Sequence, residues 1–294
     1  MVMPYLFKIL SRLLSGHGLG RSSFLANAYL KVAKMLLPDV IVFRGNKIYL
    51  DSPDAMSLSV FGRYSEEYEL SLFESVIDNT SVVLDIGANI GLYTLTAAKH
   101  GDKVYSFEPD PLNFSNLKKN IEANGYKNVV AVNKAVFDRS GTAHFSSYSK
   151  YPLDRGNLHL ITEHEEANQK HKTIDTISLD TFFSDKPKKI DIVKMDIEGS
   201  EFEALKGMKN IINANKNMKF FIEFNPYVLS RHNTDLDSFV GYLFSIFSEV
   251  YHVDVSNKTK RPIDNEWLAH FAKKWKSSEK KGHFINLLGI RNVS

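Results

Sequence analysis

Val82-Val-Leu-Asp-Ile-Gly-Ala-Asn-Ile-Gly91 decides the fold. The apolar run Val82 to Leu84 reads as a buried parallel strand, and it breaks into a glycine-bearing turn. A helical pattern follows over 90–99. Glycine lets backbone approach a ligand closely, and a helix start presents free N–H groups. About 23 residues beyond Asp85, a second strand over 103–107 ends in Glu108. That is where a nucleotide-binding βαβ unit holds a carboxylate for a ribose diol. The pattern predicts a nucleoside-containing cofactor, against the alternative of an α/β turn that binds nothing.

The spacing Asp85-x-Gly87-x-x-x-Gly91 separates two cofactor classes. A dinucleotide turn requires Gly-x-Gly-x-x-Gly, so that amides cradle a pyrophosphate, and a carboxylate beside that anion is repulsive. Beside a ligand carrying an ammonium and a sulfonium, the same carboxylate is attractive. S-adenosylmethionine is such a ligand, so the electrostatics favour methyl transfer over hydride transfer by a nicotinamide-dependent oxidoreductase.

Strand and helix patterns alternate outward from this turn: a helix over 66–77, then strand 103–107, helix 111–124 and strand 129–133. Asp110-Pro111 supplies an N-cap followed by proline at the first helical position. The pattern resumes with 173–178, strand 190–195, helix 201–212 and strand 220–224. Helix 236–247 and strands 249–253 and 284–290 complete it, with 273–281 as a solvated connection. This rhythm calls for an α/β fold, a mostly parallel sheet with helices on both faces. Residues 1–60 read as a helical N-terminal cap, and 61–294 as one domain. Residues 146–172, polar and without period, read as an insertion that shapes the substrate site. Their histidines (His159, His164, His171) match no compact metal motif.

The totals bound the function. The chain has 294 residues, is 43% hydrophobic and 24% charged, and carries a net charge of +3. That charge is too small to argue for a nucleic-acid partner. There are no cysteines, which excludes disulfides, thiolate zinc sites and a cysteine nucleophile. The absence fits a reducing, cytoplasmic compartment. Residues 4–14 are too short and too charged to span a bilayer. As a helix they place Leu6, Ile9, Leu10 and Leu13 on one face. That face packs on the domain or a partner, or makes a peripheral membrane contact.

Two later blocks carry chemistry. In Ile190-Asp-Ile-Val-Lys-Met-Asp-Ile-Glu-Gly-Ser-Glu201, Lys194 and Asp196 project to the same side of a strand. If that strand lies beside the first, both open onto the crevice at Gly87, as catalytic groups or as a structural ion pair. In Phe220-Phe-Ile-Glu-Phe-Asn-Pro-Tyr227, Glu223 and Asn225 share a face. Asn225-Pro226-Tyr227 matches poorly the Asn-Pro-Pro-Tyr motif of base methylation. Asp196, Glu223 and Asn225 form an oxygen set that Mg²⁺ or Ca²⁺ would accept, although no spacing demands a metal.

The blocks Val83-Leu-Asp-Ile-Gly-Ala-Asn-Ile-Gly91, Phe107-Glu-Pro109, Thr176-Ile-Ser-Leu-Asp180 and Lys194-Met-Asp-Ile-Glu-Gly-Ser-Glu201 resemble, in order and spacing, the FkbM family of S-adenosylmethionine-dependent methyltransferases. The resemblance covers roughly residues 66–226. It implies a class I methyltransferase, Rossmann-like fold of seven strands with the last antiparallel. It also implies transfer to an oxygen of a sugar, glycan or lipid-linked acceptor, or of a specialised metabolite. Gly87, Ala88 and Gly91 form the cofactor turn on this reading, Glu108 binds the ribose, and Asp85 and Asn89 position the methionine portion. Where relatives of the wider superfamily carry an acid after the third strand, this chain has Asn133-Lys134-Ala135-Val136, which leaves adenine to backbone groups near Ala135. Lys194 or Asp196 accepts the acceptor's proton. A non-catalytic S-adenosylmethionine-binding module is the remaining alternative, and the Lys194–Asp196 block counts against it.

Overall fold

A computed structural model describes residues 38–50, 67–147, 158–160, 172–187, 189–277 and 283–293. Its elements in chain order begin with a hairpin, β1 (Val40–Phe43) and β2 (Asn46–Tyr49), and helix α1 (Glu67–Ser75). There follow β3 (Val82–Ile86), α2 (Leu92–His100), β4 (Lys103–Phe107), α3 (Pro111–Ala123) and β5 (Val129–Val132). Next come β6 (Ala135–Val136), β7 (Gly141–Ser147), β8 (Leu158–Leu160), β9 (Lys172–Ile177) and α4 (Leu179–Phe182). Then come β10 (Ile192–Met195), α5 (Glu201–Lys206), α6 (Lys209–Ala214), β11 (Asn217–Phe224) and α7 (Pro226–Arg231). The chain closes with α8 (Leu236–Ile246), β12 (Glu249–Asp254), β13 (Thr259–Ile263), α9 (Asn265–Trp275) and β14 (Ile285–Asn292).

The main sheet has the order β13-β12-β14-β11-β10-β3-β4-β5. β5, β4, β3, β10 and β11 pair in parallel, and β14 runs antiparallel between β11 and β12. These strands give the doubly wound, mostly parallel sheet of a class I methyltransferase. Among the described residues the sheet has eight strands rather than seven. The extra one, β13, pairs antiparallel with β12, and four of its five residues are exposed. Lys260, Arg261 and Pro262 hide it from a hydrophobicity pattern, because an edge strand tolerates charge and proline.

Side chains alternate between the two faces as the pleat requires. Val83, Ile192 and Phe221 enter one apolar core with α1, α2 and α3. Leu84, Ile86, Val193, Met195, Phe220 and Ile222 enter the other, with α4, α5, α6 and α8. The same parity sends Asp85 and Lys194 to the α1/α2 side, where they are register neighbours across β3 and β10.

Four expectations change. Residues 40–49 form a hairpin, not part of a helical cap, while 1–37 and 51–66 lie outside the described residues. The 173–178 strand joins a second sheet, of order β6-β9-β7-β8. That sheet also takes 146–147 and 158–160 from the segment read as an irregular loop, and His164 and His171 lie outside the described residues. The helix read over 201–212 is two helices: at the break the Gly207 carbonyl accepts the Asp180 N–H at 2.9 Å, and a Cβ on Gly207 would stand 2.0 Å from the Phe137 carbonyl oxygen. Finally, residues 273–275, read as solvated connection, are the last turn of α9.

Candidate functional site

β3 is the point at which the chain reverses its progress across the sheet. The crevice beyond the C-terminal ends of β3 and β10 is where an open α/β sheet binds ligands. Two turns meet there. Gly87, with φ +86, is so close to the turn after β10 that an added Cβ would lie 1.9 Å from the Asp196 carbonyl oxygen. Gly91, with φ +100, caps α2, and its missing Cβ makes room for Leu117 of α3. Both glycines therefore serve backbone-to-protein contacts.

The amides of the turn are engaged within the protein. Gly87 and Ala88 N–H donate to the Phe107 carbonyl at 2.9 and 3.0 Å, and Gly91 N–H donates to the Ala88 carbonyl. Asn89 adopts φ 49, and its N–H donates to Glu108 Oε2 at 2.8 Å. None of these four amides is left to cradle a pyrophosphate, which removes the physical basis of dinucleotide binding at this turn.

Glu108 is the clamp of the arrangement. Its Oε1 accepts the Asp110 N–H at 2.9 Å, and Asp110 in turn caps α3 through the amides of Leu112 and Asn113. Burial pushes the Glu108 carboxyl up to about 7, although the Asp110 and Asn89 amides act in the opposite direction. The Asn113 side chain also hydrogen-bonds to the Glu108 carboxyl, so three protein donors converge on it. Asn133 donates to the carbonyls of Glu108 and Pro109 at 2.8 and 3.0 Å. It fixes the backbone under the clamp. Ala135 lies in β6, paired with Thr176, so its backbone belongs to the second sheet's ladder.

Asp85 is 1% exposed and accepts from Thr94 Oγ1 at 2.5 Å; that hydroxyl also meets Ser106 Oγ at 2.8 Å. Burial pushes its carboxyl up to about 6, partly offset by the Thr94 hydrogen bond and the Lys194 charge. Lys194 is 2% exposed; its Nζ lies 3.6 Å from Asp196 Oδ2 and 3.5 Å from Glu69 Oε1, and 4.9 Å from the centre of the Tyr93 ring. Asp196 keeps 31% of its side chain exposed. The sequence pairing of Lys194 with Asp196 is thus present, but the ammonium is enclosed beneath α1 while the carboxylate reaches the crevice. Two carboxylates, those of Asp196 and Glu69, thus face the buried amine.

Sequence reasoning missed two buried acids here. Glu69, 0% exposed, looks like one more polar residue of a short amphipathic helix, and only the packing of α1 over β10 reveals its partner. Glu201 closes the motif around Asp196, accepting the N–H groups of Ile197 and Gly199, and burial pushes its carboxyl up to about 7. Its position at the first turn of a helix, three residues after Glu198, was the available signal. The block Thr176–Asp180 is scaffold: Ser178 caps α4 and Asp180 accepts the N–H groups of Asn210 and Ile211. In the oxygen set considered for a metal, Asn225 Oδ1 is engaged as the N-cap of α7. Among the described residues no group of three or more histidine, aspartate and glutamate side chains is placed to hold a metal ion. Nor, among them, is any helix long and apolar enough to cross a membrane. Residues 4–14 lie outside the described residues.

The family model described as the methyltransferase FkbM domain matches residues 85–251. The hexuronic acid methyltransferase AglP of Haloferax volcanii is 30% identical over 149 residues, 50% of this chain and 58% of that protein. Methyltransferase 1 of Beauveria bassiana is 26% identical over 148 residues, 44% of this chain and 58% of that protein. The chain thus spans little more than half the length of these relatives. A crystal structure of an FkbM methyltransferase from Methylobacillus flagellatus matches with a TM-score of 0.43 and 17% identity, over 80% of this chain and 52% of that one.

Proposed function

The chain belongs to the FkbM methyltransferase family, and from that premise we propose that it moves a methyl group from S-adenosylmethionine to a hydroxyl oxygen. The acceptor is a sugar or glycan, or another specialised metabolite. The observation that carries the reading is the pair of acids, Asp85 and Asp196, at the ends of adjacent strands on either side of a turn whose amides are already engaged. Such a site suits a cationic ligand and not an anionic one.

The residues fit that donor. On this reading Glu108 accepts from the ribose at the acceptor position that its Asn89, Asp110 and Asn113 donors leave, and Asp85 and Asn89 position the methionine portion. When bound, S-adenosylmethionine supplies a methyl group on a positively charged sulfur. Asp196, the exposed member of the ion pair, accepts the acceptor's proton as its oxygen forms the new bond to carbon. Lys194 stays protonated and holds Asp196 in place. Enclosure of the ammonium beneath α1 supports Asp196, rather than Lys194, as the base.

Hexuronic acids are the first acceptors to test, because a 30% identical relative carries that name. Labelled S-adenosylmethionine incubated with hexuronic-acid and neutral oligosaccharides, and with hydroxylated small metabolites, reports transfer directly. Asp196→Asn is expected to lower turnover at least about a hundredfold while affinity for the uncharged-sulfur product, S-adenosylhomocysteine, stays within about threefold. Calorimetry that detects neither S-adenosylmethionine nor its demethylated product on the wild-type protein ends the proposal.

A further inference from the structure

Lys194 and Glu69 form an ion pair with almost no solvent access, 2% and 0% exposed, inside the apolar layer between α1 and the sheet. Such a pair adds little stability over well-packed apolar residues of the same volume. Stability alone therefore does not account for the pair, and a role that depends on its charges does. Glu69 stands one ammonium away from both acidic strand ends: Lys194 lies 3.6 Å from Asp196 and is the register partner of Asp85.

Resting on the cofactor reading above, we infer that Glu69 is a specificity-determining residue. It supplies negative charge behind Lys194, so that the crevice holds the sulfonium donor more tightly than the neutral thioether left after transfer. The donor and its product differ by one methyl group and one positive charge. In a water-poor interior a unit charge on the protein acts differently on the two ligands over several ångströms. Without Glu69, the Lys194 charge weighs more heavily on the donor. With it, transfer of the methyl group removes the charge that the crevice favours, and the product leaves more readily. Transfer balances as follows: the acceptor oxygen bonds to the methyl carbon, the carbon–sulfur pair goes to sulfur, and the hydroxyl proton goes to Asp196.

Calorimetry on the full chain at about pH 8 tests this without any acceptor. The quantity is the ratio of S-adenosylmethionine affinity to S-adenosylhomocysteine affinity. Glu69→Gln is expected to lower that ratio roughly five- to tenfold, and Lys194→Gln to raise it by a similar factor. The double variant, which removes one charge of each sign, is expected to return within about threefold of wild type. A ratio unmoved by Glu69→Gln, or an equal loss of both affinities, overturns the inference and leaves a structural pair. Where Glu69→Gln alone does not fold, the same comparison is made on the Lys194→Gln background, and no fall in the ratio there overturns it equally. Absence of binding of either ligand to the wild type removes the cofactor reading itself, a result distinct from an unmoved ratio.

Discussion

Gly87 and Asp196 share one contact: the space a side chain would need at Gly87 is filled by the Asp196 carbonyl, 1.9 Å from where the Cβ would stand. The turn after β3 and the turn after β10 are thereby locked at backbone level, aided by the Asp196 N–H donating to the Ile86 carbonyl at 3.0 Å.

Gly87→Ala is therefore expected to destabilise the fold by about 3 kcal/mol or more, combining overlap with a left-handed φ. Strand ends forced apart also misplace Asp85 and Asp196, so cofactor affinity should fall further than stability alone explains. Chemical denaturation and calorimetry on the same variant separate the two effects. A variant with wild-type stability and affinity would show that the contact relaxes at no cost.

Asn120, fully buried on α3, ties the hairpin to the cofactor turn. Its Oδ1 accepts the Tyr49 N–H at 2.7 Å and its Nδ2 donates to the Ile90 carbonyl at 2.9 Å. Asn120→Leu leaves both backbone groups without this partner and should cost about 2–4 kcal/mol. Hydrogen exchange at the Tyr49 amide should accelerate together with exchange in the turn. Acceleration at Tyr49 alone would mean that the hairpin and the turn are energetically independent.

Glu201 gives a stability that depends on pH with a definite sign. Its folded-state pKa, about 7, is raised above the ordinary 4.5. The contribution is thus fully present below 4.5 and is lost as pH rises through 7. Wild type should lose stability relative to Glu201→Gln across that window, by up to about 3 kcal/mol at the high end. Denaturation midpoints of the two proteins at several pH values decide it, and parallel curves would contradict the raised pKa.

What the sequence made legible follows from what each residue needs. The strands β3, β4, β10 and β11 and helix α3 are visible because burial on both faces and Asp110-Pro111 write themselves as apolar runs and a cap. The pairing of Lys194 with Asp85 across β3 and β10 follows from parity once the strands are adjacent. Glu69 is a different case. Its partner is 125 positions away in the chain, and no local period marks a carboxylate that helix packing will bury. β13 and β8 were hidden because an edge strand and a second sheet need little apolar patterning. Gly87 was visible as a glycine, but its contact with the Asp196 backbone was not, because that contact depends on the neighbouring strand's turn.

Glu108 connects the titration of one residue to cofactor affinity. Burial holds its carboxyl at about 7, so near neutrality a substantial fraction is protonated in the free protein. A protonated carboxyl has lost acceptor capacity on one oxygen, whereas two ribose hydroxyls both need acceptors. Binding should favour the ionised form and tighten as pH rises through 7, by roughly tenfold between pH 6 and 8 for a single group. Asp85 also titrates near 6, so Asp85→Asn serves as the control: the step near 7 should persist in that variant. Glu108→Gln should bind S-adenosylhomocysteine more weakly and with no step. An affinity that is level across this range in the wild type would mean that Glu108 serves only its protein donors, the Asn89 and Asp110 amides and the Asn113 side chain.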